Sequence, residues 1–229
     1  MKVHPSSLEQ YSLPRFLLVL TFVTGIVDAV SVLGLGKVFT ANMTGNVVFL
    51  GFAVAGLPEF SIIRSLIALA AFLAGAVLGG RLGSRMAESN RLRWLRTAAA
   101  CEAALLLLAG LASIGFNLAS APLTLQLHAL IVLVAVAMGL RNATVRRLAV
   151  PDLTTTVLTL TLTGIAADSS LAGGNNPRIR YRTASVVFMF SGAVVGALLL
   201  RWGPAVPLLL SGLLVLISSR VRPHVSTSP

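Results

Sequence analysis

The chain has 229 residues, of which 56% are hydrophobic and 11% charged, and its mean hydropathy is +0.90. Water-soluble domains carry about 25% charged residues, so these few charges cannot cover an aqueous surface and lipid must solvate most of the protein. The net charge of +11 does not point to nucleic acid, because the arginines stand in short clusters between apolar runs and form no basic stripe with interleaved aromatics.

A helix needs about 20 mainly apolar residues to cross the hydrocarbon core. In chain order, six stretches suit that role: 16–35, 61–80, 97–116, 123–141, 183–200 and 204–219. The first carries Asp28 and shows no small-residue cleavage site after it, so it is expected to stay as a span. Two further stretches are polar for membrane depth. One is 38–57, rich in small and polar residues, and the other is 152–167, short and holding six threonines.

Charge arbitrates between them, since Lys and Arg collect on the cytoplasmic side. If all eight stretches span, eight basic residues lie on one side and ten on the other. If only six span, fifteen lie on one side, among them Arg141, Arg146 and Arg147, and three lie opposite: Lys37, Arg64 and Arg201. The second split is an ordinary positive-inside pattern. Both termini are then inside, with 38–57 entering from outside and 152–167 from inside.

The two halves resemble each other. Gly25, Asp28 and Ala29 align with Gly139, Asn142 and Ala143 at an offset of 114. Thr40 and Asn42 align with Thr154 and Thr156 at the same offset, and Gly75 and Gly79 with Gly192 and Gly196 at 117. The expected architecture is therefore all-α: six transmembrane helices plus two polar half-spanning or broken segments in an inverted internal repeat. The first unit covers 1–118 and the second 119–229. Eight spanning helices are the alternative.

Several residues could carry function. Asp28 lies within a span, where an acidic side chain costs about 2.5–3.5 kcal/mol on insertion scales. It reads as a proton or cation site, or as a structural partner of Asn142 or an arginine. Thr40, Asn42, Thr44, Gly45 and Asn46 form two polar seams if helical, and either line a solute path or bond a neighbouring helix. Asp152, Thr156, Thr159 and Thr163 follow one helical face extended by Thr155, with Pro151 and Asp152 placed as a helix start. Glu102 is expected near the surface beside Arg96. The pairs Gly75/Gly79 and Gly192/Gly196 pack helix on helix, within the chain or between chains of a homo-oligomer.

Cys101 is the lone cysteine, and the three histidines lack paired metal-ligand spacing, so no metal or other cofactor is expected. The sequence has no Gly-x-Ser-x-Gly motif, zinc-type His pair or phosphate-binding loop. It is therefore not expected to be an enzyme.

The runs Phe39-Thr-Ala-Asn-Met-Thr-Gly-Asn46 and Val150 to Gly164, followed by Ala-Ala-Asp168-Ser, are similar to signatures of the YoaK-like family. This bacterial membrane family is also called domain of unknown function 1275. Gly139 to Ala143 and the Asp28-Ala29 pair fit it too. The resemblance implies a multi-pass bacterial inner-membrane protein and brings no established substrate or catalytic residues. With the repeat and the polar segments, it leads to the expectation of a transporter or channel for an unidentified small polar solute. The alternative is a non-transport assembly or regulatory protein. The partners expected are membrane lipids and that solute, without nucleic acid.

Overall fold

The structure, a computed structural model, describes residues 7–116, 125–149, 155–156 and 158–220. These form eight α-helices and no strand: α1 Ser7–Ala29, α2 Met43–Val54, α3 Ile62–Met86, α4 Arg91–Ala112, α5 Leu125–Leu148, α6 Thr159–Ala167, α7 Ile179–Leu199 and α8 Ala205–Arg220. α1 continues as a π-helical turn over Val30–Gly34. Side-chain caps mark the local starts. Ser61 accepts from the Arg64 amide ahead of α3, and Asn90 from the Arg93 amide ahead of α4 at 2.8 Å.

Five segments are long and apolar enough to cross a membrane: Leu13–Gly34, Ile62–Met86, Arg91–Ala112, Leu125–Leu148 and Ile179–Trp202. This is an all-α membrane protein. α8, the sixth expected span, has 16 residues and reaches about 24 Å. The 12 residues of α2 reach about 18 Å and the 9 of α6 about 14 Å. Both fall well short of a hydrocarbon core about 30 Å thick. Apolar side chains point outward on the peripheral helices, as at Leu73 and Val77 on α3 and Phe190 on α7. The apolar core includes Val23 and Ile26 of α1 and Leu130, Ile131, Val134 and Met138 of α5.

α1 lies along α7, α3 along α5, and α4 along α8. Glycines set the first two contacts. A Cβ on Gly75 would collide with the Val136 carbonyl oxygen, and one on Gly79 would come within 2.8 Å of the Leu140 carbonyl. On α7, Gly192 meets the Phe22 carbonyl and Gly196 lies against Ile26. Residue numbers rise together along both contacts, so each pair runs parallel. They run in opposite senses between α4 and α8, where Gly110 meets Leu209 and Gly212 meets Leu107, so that pair is antiparallel.

The short turn 87–90 makes α4 antiparallel to α3, and the chain reverses again at Gly203 (φ 93°) between α7 and α8. α1 therefore runs opposite to α3, and the 38–57 segment leaves and returns on one face. Its two ends meet there. Lys37 pairs with Glu59 and lies 5.7 Å from the centre of the Phe60 ring. By the same reasoning α5 runs opposite to α7, and the chain between them begins and ends on the other face.

The structure corrects three expectations. α5 continues to Leu148, so Arg141 lies inside a helix and is no loop charge. The charge split becomes fourteen against three, with its sense unchanged. α6 begins only at Thr159. Thr155 (φ 61°) and Thr156 lie in a bend before it, so the expected single helical face does not form. Asp152 lies outside the described residues. The two polar seams at 40–46 do not form either, because the helix starts at Met43 and Thr40 precedes it.

Candidate functional site

Arg141 is buried in the core and fully engaged by hydrogen bonds. Its Nε donates to Glu102 Oε1 at 2.8 Å, and Nη2 bonds the same oxygen. Nη1 donates to the Leu20 carbonyl at 2.9 Å and to the Thr24 hydroxyl at 2.8 Å. The guanidinium thus joins α5 to α4 and α1. A charge at this depth is tolerable only when paired and hydrogen-bonded, and here both partners are shielded. Glu102, expected at a surface beside Arg96, is instead 2% exposed.

Asp28 lies on α1 one turn beyond Thr24, whose hydroxyl accepts from Arg141. Part of its side chain reaches the surface, while Oδ1 is shielded and has no hydrogen-bond partner. Immediately after it the helix widens into the Val30–Gly34 π-turn, a distortion that recurs at functional sites. Within that turn Ser31 bonds back to the Val27 carbonyl at 2.7 Å and reaches the Thr40 hydroxyl at 2.6 Å. α1 thereby anchors the first polar segment.

That segment is shaped by its own amides. Asn42 caps α2 by accepting from the Gly45 amide at 3.3 Å. Asn46 accepts from the Phe39 amide at 2.8 Å and donates back to the Phe39 carbonyl. Gly45 lets the Phe39 ring close over the helix start, since a Cβ there would strike the ring. Thr44 is exposed.

The second polar segment hangs on α5. Asn142 Oδ1 accepts from the Thr156 hydroxyl at 2.7 Å, and its amide donates to the Met138 carbonyl at 2.9 Å. Thr155 Oγ1 is buried without a partner, and Thr159 is exposed. At the far end of α6, Arg182 donates to the Gly164 carbonyl at 2.6 Å and pairs with Asp168 at 2.8 Å. This is a cation at a helix C-terminus, where the dipole favours it. α2 packs on α3 and α6 on α7, with no extended contact between α2 and α6.

The structure therefore joins Asn142 to Thr156 and Asn42 to Gly45. It pairs Asp28 with neither Asn142 nor an arginine through Oδ1, and leaves Asp28 one helical turn from Thr24, which bonds Arg141. Below the Arg141–Glu102 pair a crevice between α1, α4 and α5 descends past Leu95 and Ala99 to Phe16 and Leu148. Its volume of about 10 Å³ admits about one water.

The profile of the family described as "Protein of unknown function (DUF1275)" matches residues 16–219. The chain belongs to this family. It is 34% identical over 151 residues to the UPF0700 transmembrane protein YoaK of Bacillus subtilis (strain 168), a match covering 66% of this chain. The match spans 64% of that relative's length. No solved structure matches the chain. The family carries no assigned activity, so function rests on the chemistry of the site.

Proposed function

We propose that this chain is a multi-pass transporter of the bacterial inner membrane, moving a small polar solute under proton coupling, with Asp28 as the proton-bearing group. The observation that carries the reading is the Asp28 carboxylate. Its Oδ1 is shielded and unpartnered, one helical turn from the hydroxyl that holds Arg141. Ionisable groups at this depth are rare and face a bundle interior or a water-filled path.

An inverted duplication, 1–118 and 119–229, supports the same reading. Adding 114 to Phe22, Ile26 and Ala29 gives Val136, Leu140 and Ala143, and adding 117 to Gly75 and Gly79 gives Gly192 and Gly196. The contacts Gly192–Phe22 and Gly196–Ile26 thus correspond to Gly75–Val136 and Gly79–Leu140. The equivalent helices α1 and α5 run in opposite directions. Inverted repeats with broken helices and a central site underlie many secondary transporters. In this reading the bonds of Thr40, Asn42, Asn46 and Thr156 hold the two backbone breaks open beside the site. No catalytic role is assigned to the chain.

The test is uptake of a panel of labelled small polar solutes by proteoliposomes, with and without an imposed pH gradient. At least one should accumulate above protein-free vesicles, and only with the gradient. A panel in which no solute responds would favour a non-transport role.

A further inference from the structure

We infer that α4 carries a binding site for an anionic phospholipid of the cytoplasmic leaflet, with its phosphate on Arg93 and Arg96 and an acyl chain along Ala100, Cys101 and Ala104. The site is separate from Asp28 and does not depend on the transport reading.

Residue spacing builds the groove. Positions 93, 97, 100 and 104 are three or four residues apart and fall on one face of a helix. On α4 that face carries Arg93 and Thr97, flanked by Arg96, and then only the small side chains of Ala100, Cys101 and Ala104. The helix packs into the bundle through other residues, among them Trp94, Ala98, Glu102 and Leu106. Both arginines, both alanines and Cys101 are exposed. With Asn90 and Leu92 they line a groove of about 580 Å³. Leu108, one turn further on, is large and exposed and ends the run of small side chains.

The groove has the length of one leaflet. From Asn90 to Ala104 the helix rises about 21 Å, against about 20–22 Å for a leaflet with its headgroups. Its polar end lies where the basic-residue split puts the cytoplasm. A phosphate at that end and an acyl chain toward the middle of the membrane match it from end to end.

Charge selects an anion. Between positions 81 and 101 stand Arg81, Arg85, Arg91, Arg93 and Arg96 against one acid, Glu88. Among the described residues neither Arg93 nor Arg96 meets a carboxylate. Glu102, the acid of α4, is committed to Arg141. Asn90 uses its side-chain oxygen to cap the Arg93 amide and keeps Nδ2 as a donor. The helix start adds the positive end of its dipole. A phosphatidylglycerol-type headgroup neutralises this cluster, whereas the ammonium of a zwitterionic lipid finds no carboxylate beside it. A second copy of the chain fits less well, because a two-fold interface sets the same residues on both sides, here arginine against arginine. Soluble phosphate compounds offer nothing apolar to the far half of the groove.

The experiment reconstitutes the full chain in phosphatidylcholine vesicles with a trace of phosphatidylglycerol bearing a diazirine on one acyl chain. After illumination, peptide mass mapping reads the share of label on residues 100–104. A phosphatidylcholine probe with the same acyl chain gives the background. The share should exceed that background about tenfold or more, as expected of two arginine contacts near the membrane surface. Unlabelled phosphatidylglycerol should displace it. Arg93→Gln with Arg96→Gln changes only exposed side chains and should bring the share to background, while Arg93→Lys with Arg96→Lys should retain most of it. Equal labelling by the two headgroups overturns the inference, as does enrichment that survives the glutamine pair. Absence of label on residues 100–104 from either probe also overturns it, and chain-to-chain crosslinking there would name a second copy as the occupant.

Discussion

Glu102 on α4 and Arg141 on α5, 39 residues apart in the chain, meet in an ion pair shielded from solvent on both sides. The pair holds three helices together, because the same guanidinium also bonds Leu20 and Thr24 of α1. Glu102→Ala would leave Arg141 without its carboxylate and should destabilise the protein by about 3–5 kcal/mol. Glu102→Gln retains an oxygen acceptor and should cost clearly less. Thermal unfolding in detergent would rank the two, and an equal loss from both would show that the acceptor is irrelevant.

The glycine contacts make a second, graded expectation. Gly75→Ala and Gly192→Ala each drive a Cβ into a backbone carbonyl that cannot yield cheaply. Each should cost about 1–3 kcal/mol or more. Gly80→Ala, one position from Gly79 on α3, meets nothing within 4 Å. It should be neutral or stabilising by up to about 1 kcal/mol, as expected for removing a helical glycine. Melting temperatures of the three variants check the order.

Lys37 and Glu59 should lie on the same side of the membrane. Cysteines placed at Lys37 and at Glu59, in a Cys101→Ala background that removes the exposed native thiol, should both react with an impermeant reagent from outside. A cysteine at Arg178 should react only after permeabilisation. The Lys37 hydrogen bond and charge hold the Glu59 carboxyl below its ordinary value of 4.5. A depressed carboxyl stabilises above that ordinary value and loses its contribution as pH falls below it. The pair is exposed, so Glu59→Gln should leave the melting temperature at pH 7 unchanged within error.

Thr156→Val should test how firmly α5 holds the second polar segment. Asn142 Oδ1 would lose its donor at a half-buried position, a loss of about 1–3 kcal/mol. Thr156→Ser keeps the hydroxyl and should recover most of it.

Much of the architecture was legible in the sequence. Apolar run length marked five segments long enough to cross, while the sixth expected span, α8, is shorter, and α2 and α6, in the two polar segments, are shorter still. Composition could not reveal where the helices in those segments begin. That depends on side-chain bonds such as Asn42 to Gly45 and Asn46 to Phe39, which a periodicity count does not see. Arg141 was misread for a related reason. It stands five residues before Arg146, at the polar end of an apolar run, where positive residues ordinarily mark a loop. The helix nonetheless runs two turns beyond it to Leu148, and the Thr144 hydroxyl there is satisfied by the Leu140 carbonyl of the same helix. Once Arg141 is buried, Glu102 must follow it inward, although nearby Arg96 suggested a surface pairing. Asp28 was visible as an acid within a span, but its neighbours were not.

The central claim is that Asp28 couples solute movement to protons, and one comparison tests it most directly. Wild type and Asp28→Asn, shown by size exclusion to be the same folded species, are reconstituted and given an imposed pH gradient with the solute identified in the uptake panel. Wild type should accumulate the solute in proportion to the gradient, and Asp28→Asn should not accumulate it at any pH. Accumulation by Asp28→Asn with unchanged pH dependence would contradict the account and leave Asp28 a structural residue.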